Sequence, residues 1–117
     1  MIALARKSDD DIRKIIEPMI DQMLAGSAGR DHAMHVQDFT DRLKVIVTEE
    51  NLSRQCEAYQ KELGLFTKRG FVALFRRTYS VAATWRLFFA KTDDEFVLEA
   101  MFVERDGRLQ IEHCMIF

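Results

Sequence analysis

The sequence predicts an α+β domain, with three N-terminal helices packed on one face of a curved, four-stranded antiparallel meander. In the first half, apolar residues recur every three or four positions, as they do in amphipathic helices. From Leu65 onward the period changes to two, and β-branched and aromatic residues become frequent, which indicates strands. The chain of 117 residues has the length of one domain, so we expect a single unit over residues 1–117.

The first predicted helix is defined by a long apolar stripe. Ser8, or one of the three aspartates after it, can cap the start of the helix, and Gly26 lies just past its end. Pro18 falls inside the stripe, but the stripe keeps its phase there, so we expect a kink rather than a break. Residues 1–8 are expected to form a flexible or loosely attached N-terminus. The stripe consists of Ile12, Ile15, Ile16, Met19, Ile20, Met23 and Leu24.

Two further helices are predicted before the strands. A short one is expected at about residues 31–38, after a loop rich in glycine. Phe39 and Leu43 then anchor a stretch that we expect to be irregular. The third helix begins with Thr48 as its cap, has glutamates in its first turn where the helix dipole favours them, and stops at Gly64.

Four strands complete the predicted sheet, with compact turn signals between the last three. The stronger of these signals is the pair Asp106 and Gly107, which suits a tight hairpin. The other is the segment 92–95. The strands are expected at about residues 66–77, 80–91, 95–104 and 109–117.

The two hairpins also predict a register. They place Phe89 opposite Leu98 and Ala100 opposite His113, and both put the same residues on one face. This inner face is apolar apart from His113. It is expected to consist of Val81, Ala83, Trp85, Leu87, Phe89, Phe96, Leu98, Ala100, Phe102, Ile111, His113, Met115 and Phe117.

The opposite face of the predicted sheet is mixed rather than polar, since it carries an apolar patch among charged residues. An exposed patch of this kind is typical of an association surface. We therefore expect a homodimer in which two sheets pack back to back. The residues of the patch are Phe88, Val97, Met101, Val103 and Ile116.

Charge and composition exclude several classes of protein. The chain has 17 Lys and Arg against 19 Asp and Glu, a net charge of -2, which argues against a nucleic-acid binder. No apolar run is long enough to cross a membrane or to serve as a signal peptide, so we expect no membrane partner. The only two cysteines, Cys56 and Cys114, are far apart in sequence and are expected to be reduced in a cytoplasmic protein.

Three histidines are the candidates for chemistry. His113, on an apolar face, could act as a general base or bind a polar atom of a ligand. The alternative is a core histidine that is hydrogen-bonded to a helix backbone or to Tyr59. His32 and His35 are three residues apart and are weak metal candidates, because the spacing and the intervening glutamate of the zinc-protease motif are absent. We expect neither a metal nor another cofactor.

The order of these elements forms one continuous pattern over about residues 9–117. It includes the helix start Thr48-Glu-Glu-Asn-Leu, the helix end Tyr59-Gln-Lys-Glu-Leu-Gly64 and the final strand Gly107-Arg-Leu-Gln-Ile-Glu-His. The pattern resembles the nuclear transport factor 2-like superfamily, the cystatin-like α+β cone, and within it small bacterial members of unknown function. The resemblance implies a cone with a central pocket and dimers that form through the sheet. The residues expected to line that pocket are Tyr59, Trp85, Leu87, Ala100, Phe102 and His113.

The expected function follows from the polar groups available in such a pocket. Enzymes on this cone need a base and hydrogen-bond donors, but the predicted inner strands supply no carboxylate. We therefore expect a small domain without enzymatic activity that binds a small apolar ligand or serves as a dimeric interaction module. The alternative is an enzyme of the isomerase, dehydratase or hydrolase type that uses His113 as its base.

Overall fold

A computed structural model describes residues 4–117, which form a layer of helices on an antiparallel sheet. The α+β class and the order of helices before strands are confirmed. The strand order is β1-β2-β3-β4, and no helix within residues 4–117 is long and apolar enough to cross a membrane. After a short 3-10 helix, Leu4–Arg6, the elements are α1 (Asp9–Ala28), α2 (His32–His35), α3 (Asp41–Ile46), α4 (Glu49–Glu62), β1 (Phe66–Arg76), β2 (Ser80–Phe89), β3 (Phe96–Arg105) and β4 (Arg108–Ile116).

The expectation of three helices was wrong, because α3 forms where an irregular stretch was expected. The Thr40 hydroxyl caps α3 by accepting a hydrogen bond from the Leu43 amide at 3.3 Å. α1 also runs further than predicted, through Pro18 and Gly26 to Ala28. Gly26 lies where α2 crosses α1, and a Cβ atom at this position would collide with the backbone of His35.

The beginning of the chain is attached to the domain wherever the structure describes it. Leu4 is 3% exposed and belongs to the core. The Arg76 guanidinium donates to the carbonyl oxygens of Leu4 and Lys7, at 2.7 and 2.6 Å. The loosely attached N-terminus expected over residues 1–8 therefore does not fit residues 4–8, and residues 1–3 lie outside the described residues.

The core fills the space between α1 and the inner face of the sheet. Trp85 and Phe102 are almost completely buried there. The indole N–H of Trp85 donates to the Glu17 carboxylate at 3.0 Å, and the same oxygen accepts from the Arg69 guanidinium at 2.8 Å. α1 is thus held on the sheet by apolar packing and by a charged network in which the Glu17 carboxylate gives the buried indole N–H of Trp85 a partner.

The predicted register assigns the side chains of β2 and β3 to the correct faces of the sheet. It does not pair the correct residues across the two strands. Trp85, rather than Phe89, lies opposite Leu98. This shift of four residues keeps every side chain on its predicted face, because side chains in a strand alternate with a period of two.

A β-bulge in β4 changes the faces of the residues that follow it. Phe102 pairs with Ile111 and Met101 pairs with His113, so Glu112 is the extra residue. Cys114, not His113, therefore lies opposite Ala100.

Because of the bulge, five side chains lie on the opposite face of the sheet from the one predicted. Because one extra residue inverts the alternation, His113, Met115 and Phe117 lie on the outer face instead of the inner one. For the same reason, Cys114 and Ile116 lie on the inner face, and Ile116 leaves the predicted outer patch.

The bulge is fixed by contacts with the segment before α3. The Arg42 guanidinium donates to the Glu112 carboxylate at 2.8 Å and to the Glu112 carbonyl oxygen at 2.6 Å. Hydrogen bonds from the Thr40 hydroxyl and from Arg42 lower the pKa of Glu112 against the opposing effect of burial. The ionised carboxylate therefore contributes to holding β4 against α3.

We expect Glu112→Gln to destabilise the protein by about 1–2 kcal/mol at neutral pH, since it removes a charged hydrogen-bond acceptor. The lowered pKa of Glu112 means that the native state favours the ionised form. Its contribution is therefore complete above the ordinary glutamate value of 4.5 and is lost as the pH falls through the lower native pKa. Urea unfolding at neutral pH and at about pH 3 would measure this change.

The matched control is Glu57→Gln, which removes a carboxylate from an exposed position of α4. The gap in free energy of unfolding between wild type and Glu112→Gln should narrow as the solution becomes acidic. A gap that stays constant with pH, or one that Glu57→Gln reproduces, would contradict this role of Glu112.

Candidate functional site

An open groove of about 760 Å³ lies between the free edge of β4 and the helices α3 and α4. One wall is the second half of β4, residues 113–116. The opposite wall is formed by α3 and by one face of α4. The groove-lining residues of that wall include Arg42, Leu43, Ile46, Asn51, Gln55, Ala58, Tyr59 and Glu62.

Helical spacing explains how α4 contributes its wall. Its six groove residues are adjacent or three or four positions apart, so they share one side of the helix. Thr48 caps the helix as predicted, with its hydroxyl accepting from the Asn51 amide at 3.1 Å. The floor of the groove is aromatic and includes Phe39, Phe66, Phe89 and Phe96.

Only two of the six residues predicted to bind a ligand line this groove, namely Tyr59 and His113. The other four pack in the core beneath α1 and are at most 2% exposed. They are Trp85, Leu87, Ala100 and Phe102.

His113 lies at the rim of the groove, on the edge strand. The bulge turns its side chain to the outer face, opposite Met101, so its predicted inward position was wrong. There its Nε2 atom lies 2.7 Å from the Glu99 carboxylate. His113 is therefore an ion-pair or hydrogen-bond partner on a half-exposed surface rather than a residue in an apolar interior.

The two metal candidates are both bound to backbone carbonyl groups. His32 Nε2 lies 2.8 Å from the Val47 carbonyl oxygen, and His35 Nδ1 lies 2.8 Å from that of Met23. A carbonyl oxygen only accepts, so each of these nitrogens carries the hydrogen. In the described part of the chain, no three His, Cys, Asp or Glu side chains come together as a metal site.

His35 gives the groove a hydrogen-bond acceptor. Burial lowers its pKa, and the nearby His32 acts in the same direction, against the hydrogen bond to Met23. The ring is therefore neutral at neutral pH. With its hydrogen on Nδ1, Nε2 keeps a lone pair.

A polar cluster lies where the end of α1 meets α4, beside the groove. The hydroxyl groups of Ser27 and Tyr59 are 3.0 Å apart, and the Gln60 amide donates to the Tyr59 oxygen at 3.1 Å. The Cys56 thiol donates to the Ser27 carbonyl oxygen at 3.2 Å. Burial raises the pKa of Tyr59 more than its hydrogen bonds lower it, so the phenol stays protonated.

The two cysteines lie in different surroundings, and Cys114 is a poor nucleophile. Burial raises the pKa of the Cys114 thiol to about 12, and the charge of Glu99 adds to this effect. Cys56 is buried in the polar cluster. With this raised pKa the Cys114 thiol stays protonated at neutral pH and is a poor nucleophile.

The α3 residues of the helical wall were not predicted as site residues, because this stretch was expected to be irregular. A signal was present, since Thr40 lies three residues before Leu43 in the spacing of an N-cap. Ser27 was missed because the segment around it was expected to be a loop, whereas α1 continues to Ala28.

The comparisons with known proteins show a likeness of fold. No family model matches the chain, and no curated protein matches it significantly. Its fold is similar to the solution structure of RPA3114, a SEC-C motif containing protein from Rhodopseudomonas palustris, with a TM-score of 0.56 and 12% identity. The match covers 98% of this chain and 96% of that chain, and at this identity it shows the fold alone.

This comparison overturns the resemblance to the nuclear transport factor 2-like superfamily. A solved structure that matches nearly the whole chain belongs to a SEC-C motif protein, whose fold is a different one. The resemblance rested on the order of helices and strands, and that order does not distinguish the two folds.

Proposed function

We propose that this chain is a binding domain without enzymatic activity, and that it holds an apolar ligand in the groove between β4 and the helices α3 and α4. The observation that carries the proposal is the groove itself, whose lining is mostly apolar. Its volume of about 760 Å³ lies within the usual range of ligand sites, roughly 300–1,000 Å³. The ligand site proposed here is at the edge of the sheet and not in a central cone, since side chains fill the middle of the sheet.

A few polar groups in the groove could orient the ligand. The neutral ring of His35 offers an acceptor, and the hydroxyl groups of Ser27 and Tyr59 lie in the same lining. Arg42 adds a charged donor at one end. An apolar body with one or two polar groups fits this distribution. A cytoplasmic location is part of the proposal, since Cys56 and Cys114 are free.

The enzymatic alternative finds less support in the site. His113, the proposed base, lies on the outer face and is paired with Glu99. Burial holds Tyr59 and Cys114 in their protonated forms. No nucleophile with an adjacent base lines the groove in the described part of the chain.

We expect Ile46→Glu to weaken binding of the fluorescent dye anilinonaphthalene sulfonate by about tenfold, because it places an unpaired charge in the apolar lining. Ile46 lines the groove and is 55% exposed, so the substitution should spare the fold. Fluorescence titration of the wild type and the variant measures the change.

Val45→Glu is the matched control, because Val45 precedes Ile46 on α3, is 78% exposed and does not line the groove. It should leave dye binding as in the wild type. Equal dye affinity of all three proteins, or no dye binding by the wild type, would count against the groove as the ligand site.

A second candidate function, a dimeric interaction module, is favoured by the outer face of the sheet. Phe88, Met101 and Val103 lie on that face, as predicted, and so does Val97, which is 37% exposed. The bulge replaces Ile116 on this face with Met115. We propose that two copies pack these faces together, since an apolar patch of this kind is typical of association.

On this second candidate, Val97→Glu should convert a dimer into a monomer, because the two-fold axis brings the new charges of both copies into one apolar interface. Light scattering at tens of micromolar protein measures the mass, and Val45→Glu on α3 serves as the control that keeps the dimer. A monomeric wild type, or a dimer that survives Val97→Glu, would exclude this interface.

A further inference from the structure

We infer that the ligand of the groove is an extended peptide segment that pairs with the free edge of β4 as a fifth strand. This inference rests on the proposed function and names the chemical class of its ligand. Four features of the described residues support it, namely the free backbone groups of β4, a strand pairing already present on that edge, the length of the groove and the charges at its two ends.

The hydrogen-bond pattern of β4 shows which backbone groups are free. Val97 and Phe117 exchange both of their N–H···O bonds, at 2.7 and 3.0 Å. In an antiparallel pair such residues alternate with residues whose N–H and C=O groups point away from the partner strand. The backbone groups of Cys114 and Ile116 therefore point to the free edge, where no helix or loop within residues 4–117 binds them.

The chain already places one strand-like segment on this edge. The Ile111 amide donates to the Asp38 carbonyl oxygen at 2.7 Å, and the Thr40 amide donates to the Ile111 carbonyl oxygen at 2.9 Å. Phe39 thus forms a parallel bridge with Ile111. After Thr40 the chain turns into α3. Phe39 therefore occupies the position of a fifth strand beside Ile111, and the same position beside Cys114 is free for another segment.

The length of the groove suits a short extended segment. On α4 the groove residues run from Asn51 to Glu62, which is about 17 Å at 1.5 Å per helical residue. An extended peptide rises about 3.4 Å per residue, so about five residues span the groove.

The lining defines the side chains of this peptide. Every second side chain would enter the apolar groove, and the residues between would lie on the outer side. At one end Arg42 is exposed, and its Nη1 atom has no partner within residues 4–117. At the other end Glu62 is exposed. A peptide with alternating apolar residues, acidic at the end near Arg42 and basic at the end near Glu62, complements this lining.

A second copy of this chain fits the edge less well than a peptide. Pairing of two whole sheets through β4 would bring the helices of both copies to the same side of the joined sheet. α3 and α4 face the edge across the groove and occupy that side. A short segment needs only the width of the groove.

The test uses a capped seven-residue peptide in which valine alternates with serine between a terminal glutamate and a terminal lysine, and the same peptide with its sequence reversed. We expect one of the two to bind the wild-type protein in calorimetry and to displace anilinonaphthalene sulfonate. Methylating alternate backbone nitrogens of that peptide removes the N–H donors on one edge of its strand. Methylation of the set that faces β4 should weaken binding about tenfold or more, whereas methylation of the other set should have little effect.

A protein variant tests the same contact from the other side. Ile116→Pro removes the N–H that faces the groove and leaves the bonds to β3 in place, since proline is tolerated on an edge strand. It should abolish peptide binding. Ile116→Ala keeps the N–H and should retain peptide binding at reduced affinity. If Ile116→Pro does not fold, the methylated peptides on the wild type decide the question.

Peptide binding that is insensitive to both methylation sets or to Ile116→Pro would overturn strand pairing. Absence of binding by both peptide sequences would overturn it as well. A wild-type dimer that becomes monomeric in Ile116→Pro would also overturn it, because the edge of β4 would then pair with a second copy of the chain. In each case the dye titrations with Ile46→Glu report separately whether the groove is a ligand site.

Discussion

The β-bulge at Glu112 determines the arrangement of this site. One extra residue in β4 exchanges the two faces for every residue that follows, so Cys114 and Ile116 point inward and His113 points outward. Arg42 and Thr40 hold the bulge in place from the start of α3. The same contacts that fix the strand therefore also fix the helical wall of the groove, and the two walls are coupled by one ionised carboxylate.

The groove exists because the helices cover the sheet unevenly. α1 packs on the middle of the inner face, where the hydrogen bond from Trp85 and the ion pair with Arg69 secure it through Glu17. α3 and α4 lie beside β4 instead of on top of it and leave space along its edge. An apolar lining that no side chain fills is costly in water, which favours an occupant.

The sequence predicted the elements better than their exact pairing, and β4 shows why. Its residues after Ile111 are apolar at both alternating sets of positions, with Met115 in one set and Cys114 and Ile116 in the other. A hydrophobic pattern that suits either face cannot reveal a one-residue shift. β2 has one strictly apolar face, so an error of four residues in its pairing left its inner side chains correctly assigned.

The candidate site was predictable only in part, because its residues come from distant segments. Tyr59 was among the predicted pocket residues, but the contribution of Arg42 depends on a contact with Glu112, seventy residues away. No local pattern encodes that contact. The resemblance of fold failed for a related reason, since it compared the order of elements and not the bulge or the short helix that shape the groove.

An unpaired strand edge beside an apolar surface carries a risk of aggregation, because edges of this kind pair with one another. Here α3 and α4 stand across the groove from the free edge, so another sheet cannot approach it directly. The bulge adds a local twist, which further disfavours pairing of flat edges. The same arrangement admits a single narrow segment. A protected edge and a peptide-binding edge therefore require the same geometry, and this is why the groove is better explained by strand addition than by association of two sheets through β4.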